Sequence, residues 1–267
     1  MNAGGSSHSQ AYQGLAFYPS TITVDAGDTV AWTYPSAEPH TVTFLGAGQA
    51  TPPPPSDPSA PKPAGGSTYD GSTYTSSGFI AMGYSYSLKF TKPGTYTYYC
   101  IIHQPEMVGR VVVNPAGTAY PADEDSYSTQ AMAQTAADLQ LAAQAVTQFP
   151  YPPGGTHIAA GIAPGLAAAA PSHAIVNRFI VDTNVDGSAV TVPAGGTVTW
   201  TNQSNNAPHT VTFPVAGRPL PVLPGDPFTP PMGGSTYDGT QVTNSGVLGP
   251  GQSYSLTFTK AGTIVVR

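Results

Sequence analysis

The amino-acid sequence predicts an all-β protein, built as two Greek-key β-sandwiches joined by a linker that contains one α-helix. Three observations carry that expectation. The chain repeats itself, short runs of alternating apolar and polar residues are punctuated by Gly and Pro, and one Ala-, Gln- and Leu-rich stretch separates the repeats.

The repeat sets the domain count. At an offset of 168 residues (192 against 24), Val24, Gly27, Val30 and Trp32 fall on Val192, Gly195, Val198 and Trp200. The segment GGSTYDG at 65–71 returns at 233–239, and YSLKFTKPGT at 86–95 returns as YSLTFTKAGT at 254–263. PHTVTF at 39–44 recurs at 208–213, one residue further on, so a residue has been inserted before it, as a loop tolerates. A chain of 267 residues is long enough for two units, each with its own core. The predicted boundaries are 15–115 for the first sandwich, 116–172 for the linker and 173–267 for the second sandwich.

Taken in order, Met1 to Gln10 is small and polar, without the basic start and apolar stretch of a signal peptide. It is expected to be a tail, with any export signal absent or removed. After the turn Ala26-Gly27-Asp28, Val30 and Trp32 alternate with Thr29 and Thr33, the period of a strand with one buried face. Further alternating runs lie at Thr41–Phe44, Tyr84–Phe90, Thr95–Tyr99 and Val108–Val113. The Pro-rich stretch Thr51–Pro63 cannot be a central strand, because proline lacks the amide donor, and is expected to be a surface loop. Glu124 to Phe149 reads as one amphipathic helix with a stripe of Met132, Leu139 and Val146 and interleaved Ala136 and Ala143. Asp125 or Ser126 is expected to cap it, and Pro150 with Pro152 to stop it. Tyr151 to Ser172 then reads as a Gly, Pro and Ala linker.

Composition excludes several function classes. With eight Lys and Arg and a net charge of −6, the chain lacks the basic stripe that a nucleic acid requires. The most apolar stretch, Ile158–Pro171, is mostly Ala and Gly and is broken by Pro164, too short to span a bilayer. The one cysteine permits no intramolecular disulfide, so its thiol is either inert core or chemically employed.

The segment YYCIIHQPEMVGRVVV at 98–113 favours employment. Its spacing is Cys-x2-His-x3-Met between two strands. A short loop of this kind can turn the thiolate of Cys100, the imidazole of His103 and the thioether of Met107 to one point, and His40 can add a second imidazole. A soft thiolate, two imidazoles and a weak axial thioether form the ligand set of an electron-transfer copper site, whereas zinc sites rarely use a thioether. Glu106 is a neighbouring oxygen donor, better suited to a harder ion. His8, His157 and His173 fall in the predicted tail or linker and are expected to be solvated.

On these residues the sequence resembles the cupredoxin, or blue copper, family over most of both repeats. The resemblance implies His40, in PHTVTF, as the first ligand and Cys100, His103 and Met107 as the others. The loop departs from the family, since plastocyanin-like members carry four residues between His and Met and amicyanin-like members two, against three here. What the resemblance implies is a cupredoxin fold holding one copper ion that cycles between Cu(I) and Cu(II), redox proteins as partners, and an extracellular, periplasmic or cell-surface location. It also implies that His103 is the ligand nearest the surface, with Ile101, Ile102 and Pro105 as an apolar docking patch.

Multicopper oxidases and nitrite reductases also stack such units. Their extra metals need a histidine beside the blue-site cysteine and paired His-x-His motifs. Cys100 is flanked by Tyr99 and Ile101, so catalysis is not expected. A third class, a surface or interaction protein with no working copper, fits the low charge and many Tyr and Thr. The second repeat keeps His209, but Arg267 aligns with Tyr99, immediately before the expected cysteine, so a truncated second unit lacking its final strand is the expectation.

Overall fold

The computed structural model describes all residues except 10, 37, 56, 149–155, 163–172, 182–189, 205–207, 219–229 and 265–267. It divides into two compact units, Met1–Ala142 with Pro171–Ala174, and Ala143–Ala170 with Ile175–Arg267.

Unit one holds β1 (Asn2–Ser6), β2 (Tyr12–Tyr18), β3 (Thr21–Asp25), β4 (Thr29–Thr33), β5 (Thr43–Phe44), β6 (Thr68–Tyr69), β7 (Thr75–Ser76), β8 (Ser85–Phe90), β9 (Gly94–Tyr99) and β10 (Val108–Asn114). Its two layers run β2-β1-β4-β8-β6 and β3-β10-β9-β5-β7. The alternation legible in β4 is realised, with Val30 and Trp32 buried and Thr29, Ala31 and Thr33 exposed. Antiparallel pairing sets Trp32 opposite Tyr86 on β8. From the other layer, Tyr98 and Phe44 meet the Trp32 ring at centroid distances of 5.3 and 6.0 Å. Leu88, Phe90, Val111 and Val113 complete the core between the layers. Each such side chain contributes about 1.5–3 kcal/mol on full burial, so this core is the main cohesion of the unit.

The amino terminus departs from the expected tail. Strand β1 pairs antiparallel with β2 and meets β4 in parallel at Asn2 and Thr33. Its NAGGS sequence shows no apolar alternation because Gly4 and Gly5 serve by lacking side chains. A Cβ on Gly5 would lie 2.6 Å from Thr135 Cγ2 on the helix.

That helix, α1, runs Glu124–Gln148. Its cap is Asp123, whose carboxylate accepts the Ser126 amide at 2.8 Å, and not Asp125 or Ser126. The expected stripe is realised only in part: Val146 is buried and Leu139 and Ala143 are half-buried, but Ala136 is exposed. Met132 is 64% exposed, while Ala131 and Ala142 are buried. Ala131 packs on Ala16 and Tyr18, and the Tyr18 hydroxyl donates to Asp138 at 2.6 Å. Small residues let the helix lie close to the sheet, a kind of contact that scoring large apolar residues overlooks. The expected stops, Pro150 and Pro152, lie outside the described residues.

Unit two holds β11 (His157–Ile162), all but the first residue of β12 (Ala174–Val181), β13 (Thr197–Gln203), β14 (Thr212–Phe213), β15 (Thr236–Tyr237), β16 (Thr243–Asn244) and β17 (Ser253–Phe258). One layer runs β15-β17-β13-β11-β12, the same order as β6-β8-β4-β1-β2 in unit one, and β14 pairs with β16. Trp200, Leu256, Phe213 and Tyr237 form its core. Strand β11 lies inside the stretch read as linker; it pairs in parallel with β13 and antiparallel with β12. Its Ala and Gly content reads as flexible, yet Ile158, Ala159 and Ala160 are buried.

Candidate metal centre

Two separate parts of unit one converge at one end of the sandwich. His40 sits just before β5, held to Ile80 by a pair of backbone hydrogen bonds of 3.1 and 3.0 Å. Cys100 and His103 lie on the loop that joins β9 to β10. That loop is closed by its own main chain, with the Cys100 amide donating to the Met107 carbonyl and the Met107 amide to the His103 carbonyl, each at 3.0 Å. The Gln104 side chain donates to the Ile101 carbonyl at 3.1 Å and to Pro53 at 2.8 Å, tying the Pro-rich stretch to the loop.

The ligand atoms of His40, Cys100 and His103 all lie within 4.8 Å of one another. His40 Nδ1 and His103 Nδ1 are 3.1 Å apart, and Cys100 Sγ is 3.8 and 3.4 Å from them. All three residues are buried, at 0, 0 and 1% exposure. Two imidazole nitrogens and a thiol aimed at one point suit a soft, redox-active ion and fit copper. Met107, from the same loop, is 1% exposed, whereas Glu106 is exposed.

Thr41 braces the convergence and is a residue that the sequence reading passed over. Its amide donates to Cys100 Sγ at 3.4 Å, and its hydroxyl accepts the Ile101 amide at 2.8 Å. The signal for it was the repeated PHTVTF, read only for its histidine. Burial opposes a thiolate at Cys100, but the imidazoles of His103 and His40 outweigh it and hold the thiol well below its ordinary range. Burial likewise opposes a charged His103, and the Cys100 sulfur and the Glu38 carboxylate outweigh that and raise it.

His103, expected as the ligand nearest the surface, is covered on its outer edge by a carboxylate. It is not open to solvent, and its Nε2 lies 3.0 Å from Glu38 Oε2. Nor do the three expected patch residues share a surface, because Ile101 is fully buried, Ile102 is half-buried and Pro105 is exposed. His8 and His157 are exposed, as expected, whereas His173 is half-buried with an enclosed Nδ1. In unit two His209 pairs with Leu248 as His40 does with Ile80, and among the described residues no group like that of unit one gathers around it.

Residues 5–114 match the family described as copper binding proteins, plastocyanin/azurin family. Chloroplastic plastocyanin of Tetradesmus obliquus is 36% identical over 100 residues, which cover 37% of this chain and 59% of that protein. Chloroplastic plastocyanin of Pisum sativum is 35% identical over 102 residues, covering 38% of this chain and 53% of that one. For plastocyanin of Vicia faba the figures are 34% over 102 residues, 38% of this chain and 90% of that protein. The match thus spans between half and three fifths of the first two relatives. A solved Cu(I) amicyanin variant, 28% identical, overlays 38% of this chain and 74% of its own with a TM-score of 0.28, too loose to bear on the fold.

Proposed function

The chain belongs to the plastocyanin/azurin family of copper-binding proteins, and from that premise we propose that unit one is a mononuclear type 1 copper module for electron transfer, with His40, Cys100, His103 and Met107 as ligands. The observation that carries this reading is the burial of two imidazole Nδ1 atoms and one sulfur within 4.8 Å of each other.

When bound, copper supplies one-electron chemistry between Cu(II) and Cu(I). The protein's part is to hold the donors in place. The braced Thr41 and the self-closed loop fix Cys100 and His103, the pairing with Ile80 fixes His40, and burial keeps water from the sulfur. A site held this firmly changes oxidation state with little rearrangement, which suits a carrier rather than a catalyst. Tyr99 and Ile101 beside Cys100 leave no bridging histidine for a second copper centre. The partners are redox proteins. No helix among the described residues is long and apolar enough to cross a membrane, and the location we propose is extracellular, periplasmic or on the cell surface, where copper thiolate sites are usually assembled.

Titrating the metal-free protein with Cu(II) tests this. One equivalent should produce an intense sulfur-to-cupric absorption band that Cys100→Ser abolishes. A colourless adduct, or a band that survives the substitution, would leave the sandwich as an interaction module instead.

A further inference from the structure

The segment that leads into His40 reaches across the site. Ser36, fully buried, donates its hydroxyl to Gln13 Oε1 at 2.8 Å and accepts the Glu38 amide at 3.3 Å. This anchor delivers the Glu38 carboxylate to His103, 65 residues away in sequence, at 3.0 Å from Nε2. Glu38 is 22% exposed and His103 is 1% exposed, so the outer edge of this imidazole meets a carboxylate.

We propose that Glu38 is the positioning residue of the His103 ligand: its carboxylate holds Nε2 as the proton donor, leaves the Nδ1 lone pair facing Cys100 and His40, and biases a bound copper ion towards the cupric state. The inference rests on the copper reading above. Its physical basis is that imidazole can offer a lone pair at one nitrogen only when the proton sits on the other. An ionised acceptor fixes that tautomer through a charge-assisted hydrogen bond and makes the ring a stronger donor. A stronger donor and an added negative charge both favour the higher oxidation state. In the one-electron exchange with a redox protein, the Nε2 proton stays in the His103–Glu38 bond.

The test compares wild type with Glu38→Gln and Glu38→Ala, measuring Cu(II) and Cu(I) affinities by chelator competition together with the reduction potential. Gln keeps an acceptor in place and removes the charge; Ala removes both. Carboxylates that support metal-bound histidines typically contribute 10- to 100-fold in metal affinity. Glu38→Gln should therefore weaken Cu(II) binding by about tenfold or more, with a smaller effect on Cu(I). The potential should rise by about 59 mV for each tenfold change in the affinity ratio. Glu38→Ala should weaken binding of both ions and shift the ¹⁵N signals of His103 in the metal-free protein, where no metal ion fixes its tautomer. An unchanged potential and affinity ratio in Glu38→Gln, with the wild-type charge-transfer band present, overturns the role of Glu38 alone. A wild type without that band overturns the copper reading and this inference with it.

Discussion

Gly4 of β1 lies directly against the imidazole of His40. A Cβ on Gly4 would overlap His40 Nε2 and stand 2.7 Å from Ser36 Cβ, and the residue has a φ of +72° that side-chain-bearing residues rarely adopt. Gly161 on β11, with a φ of +73°, bears the same relation to His209. His40, the proposed first ligand, is therefore walled by main chain, and that wall depends on the absence of a methyl group.

Gly4→Ala should cost about 1–3 kcal/mol, from overpacking and from the left-handed backbone together. It should also weaken copper binding, because β1 and His40 cannot both keep their places. Denaturant unfolding of the metal-free protein and copper competition would measure the two effects. A variant with wild-type stability and affinity would mean that β1 does not press on the ligand.

The two roles of Thr41 can be separated. Thr41→Val keeps the amide on the Cys100 sulfur and removes the hydroxyl that accepts the Ile101 amide. A buried amide left without a partner costs about 1–3 kcal/mol. Stability should fall by that amount while the sulfur-to-copper band persists, and Thr41→Ser should lose less. Equal stability of the valine variant and wild type would refute the brace.

The helix is held to unit one by hydrogen bonds as well as by its small-residue face. The Tyr18 hydroxyl donates to Asp138 at 2.6 Å, and Tyr127 accepts the Thr23 amide at 3.0 Å. Hydrogen bonds to charged groups contribute about 1.5–3 kcal/mol. Tyr18→Phe should cost that much and speed amide exchange in α1 before it affects β4 or β9. Uniform exchange across both regions would show that the helix and sheet open as one unit.

Buried phenols predict how the fold fails in alkali. Burial raises Tyr18, Tyr34 and Tyr98, and moves Tyr69 and Tyr86 up to about 12. Each folded value lies above the ordinary 10.0, so the unfolded chain gives up its phenolic protons first. The resulting stability is complete below that value and is lost as the pH climbs through and beyond it. Denaturation midpoints should therefore fall steadily above about pH 10, with the phenolate absorbance of these five tyrosines appearing in step with unfolding. Ordinary titration of all the tyrosines in a protein that stays folded would contradict this.

What the sequence disclosed follows from which forces leave a trace in residue order. Val30 and Trp32 announce β4 because a half-buried strand alternates. Cys100, His103 and Met107 stand out because three donor types crowd one short loop. Strand β1 left no such trace, since Gly4 and Gly5 act through missing atoms, and Ala159 with Ala160 in β11 look like linker for a similar reason. On α1 the exposed Met132 stands beside the buried Ala131, so the larger residue was a false marker of the buried face there, whereas Val146 marked its own position correctly. Glu38 could not be found from sequence at all, because only folding brings it to His103.

The loop from Cys100 to Met107 is sealed at its base by its own peptide groups, and it carries most of the donor atoms on a single short excursion from the sandwich. Insertions or deletions inside that excursion can thus reshape the proposed coordination sphere while leaving the strand ladders alone. On the proposed ligand set, the three-residue gap between His103 and Met107 is then a heritable tuning parameter, adjustable without redesigning the scaffold that bears it.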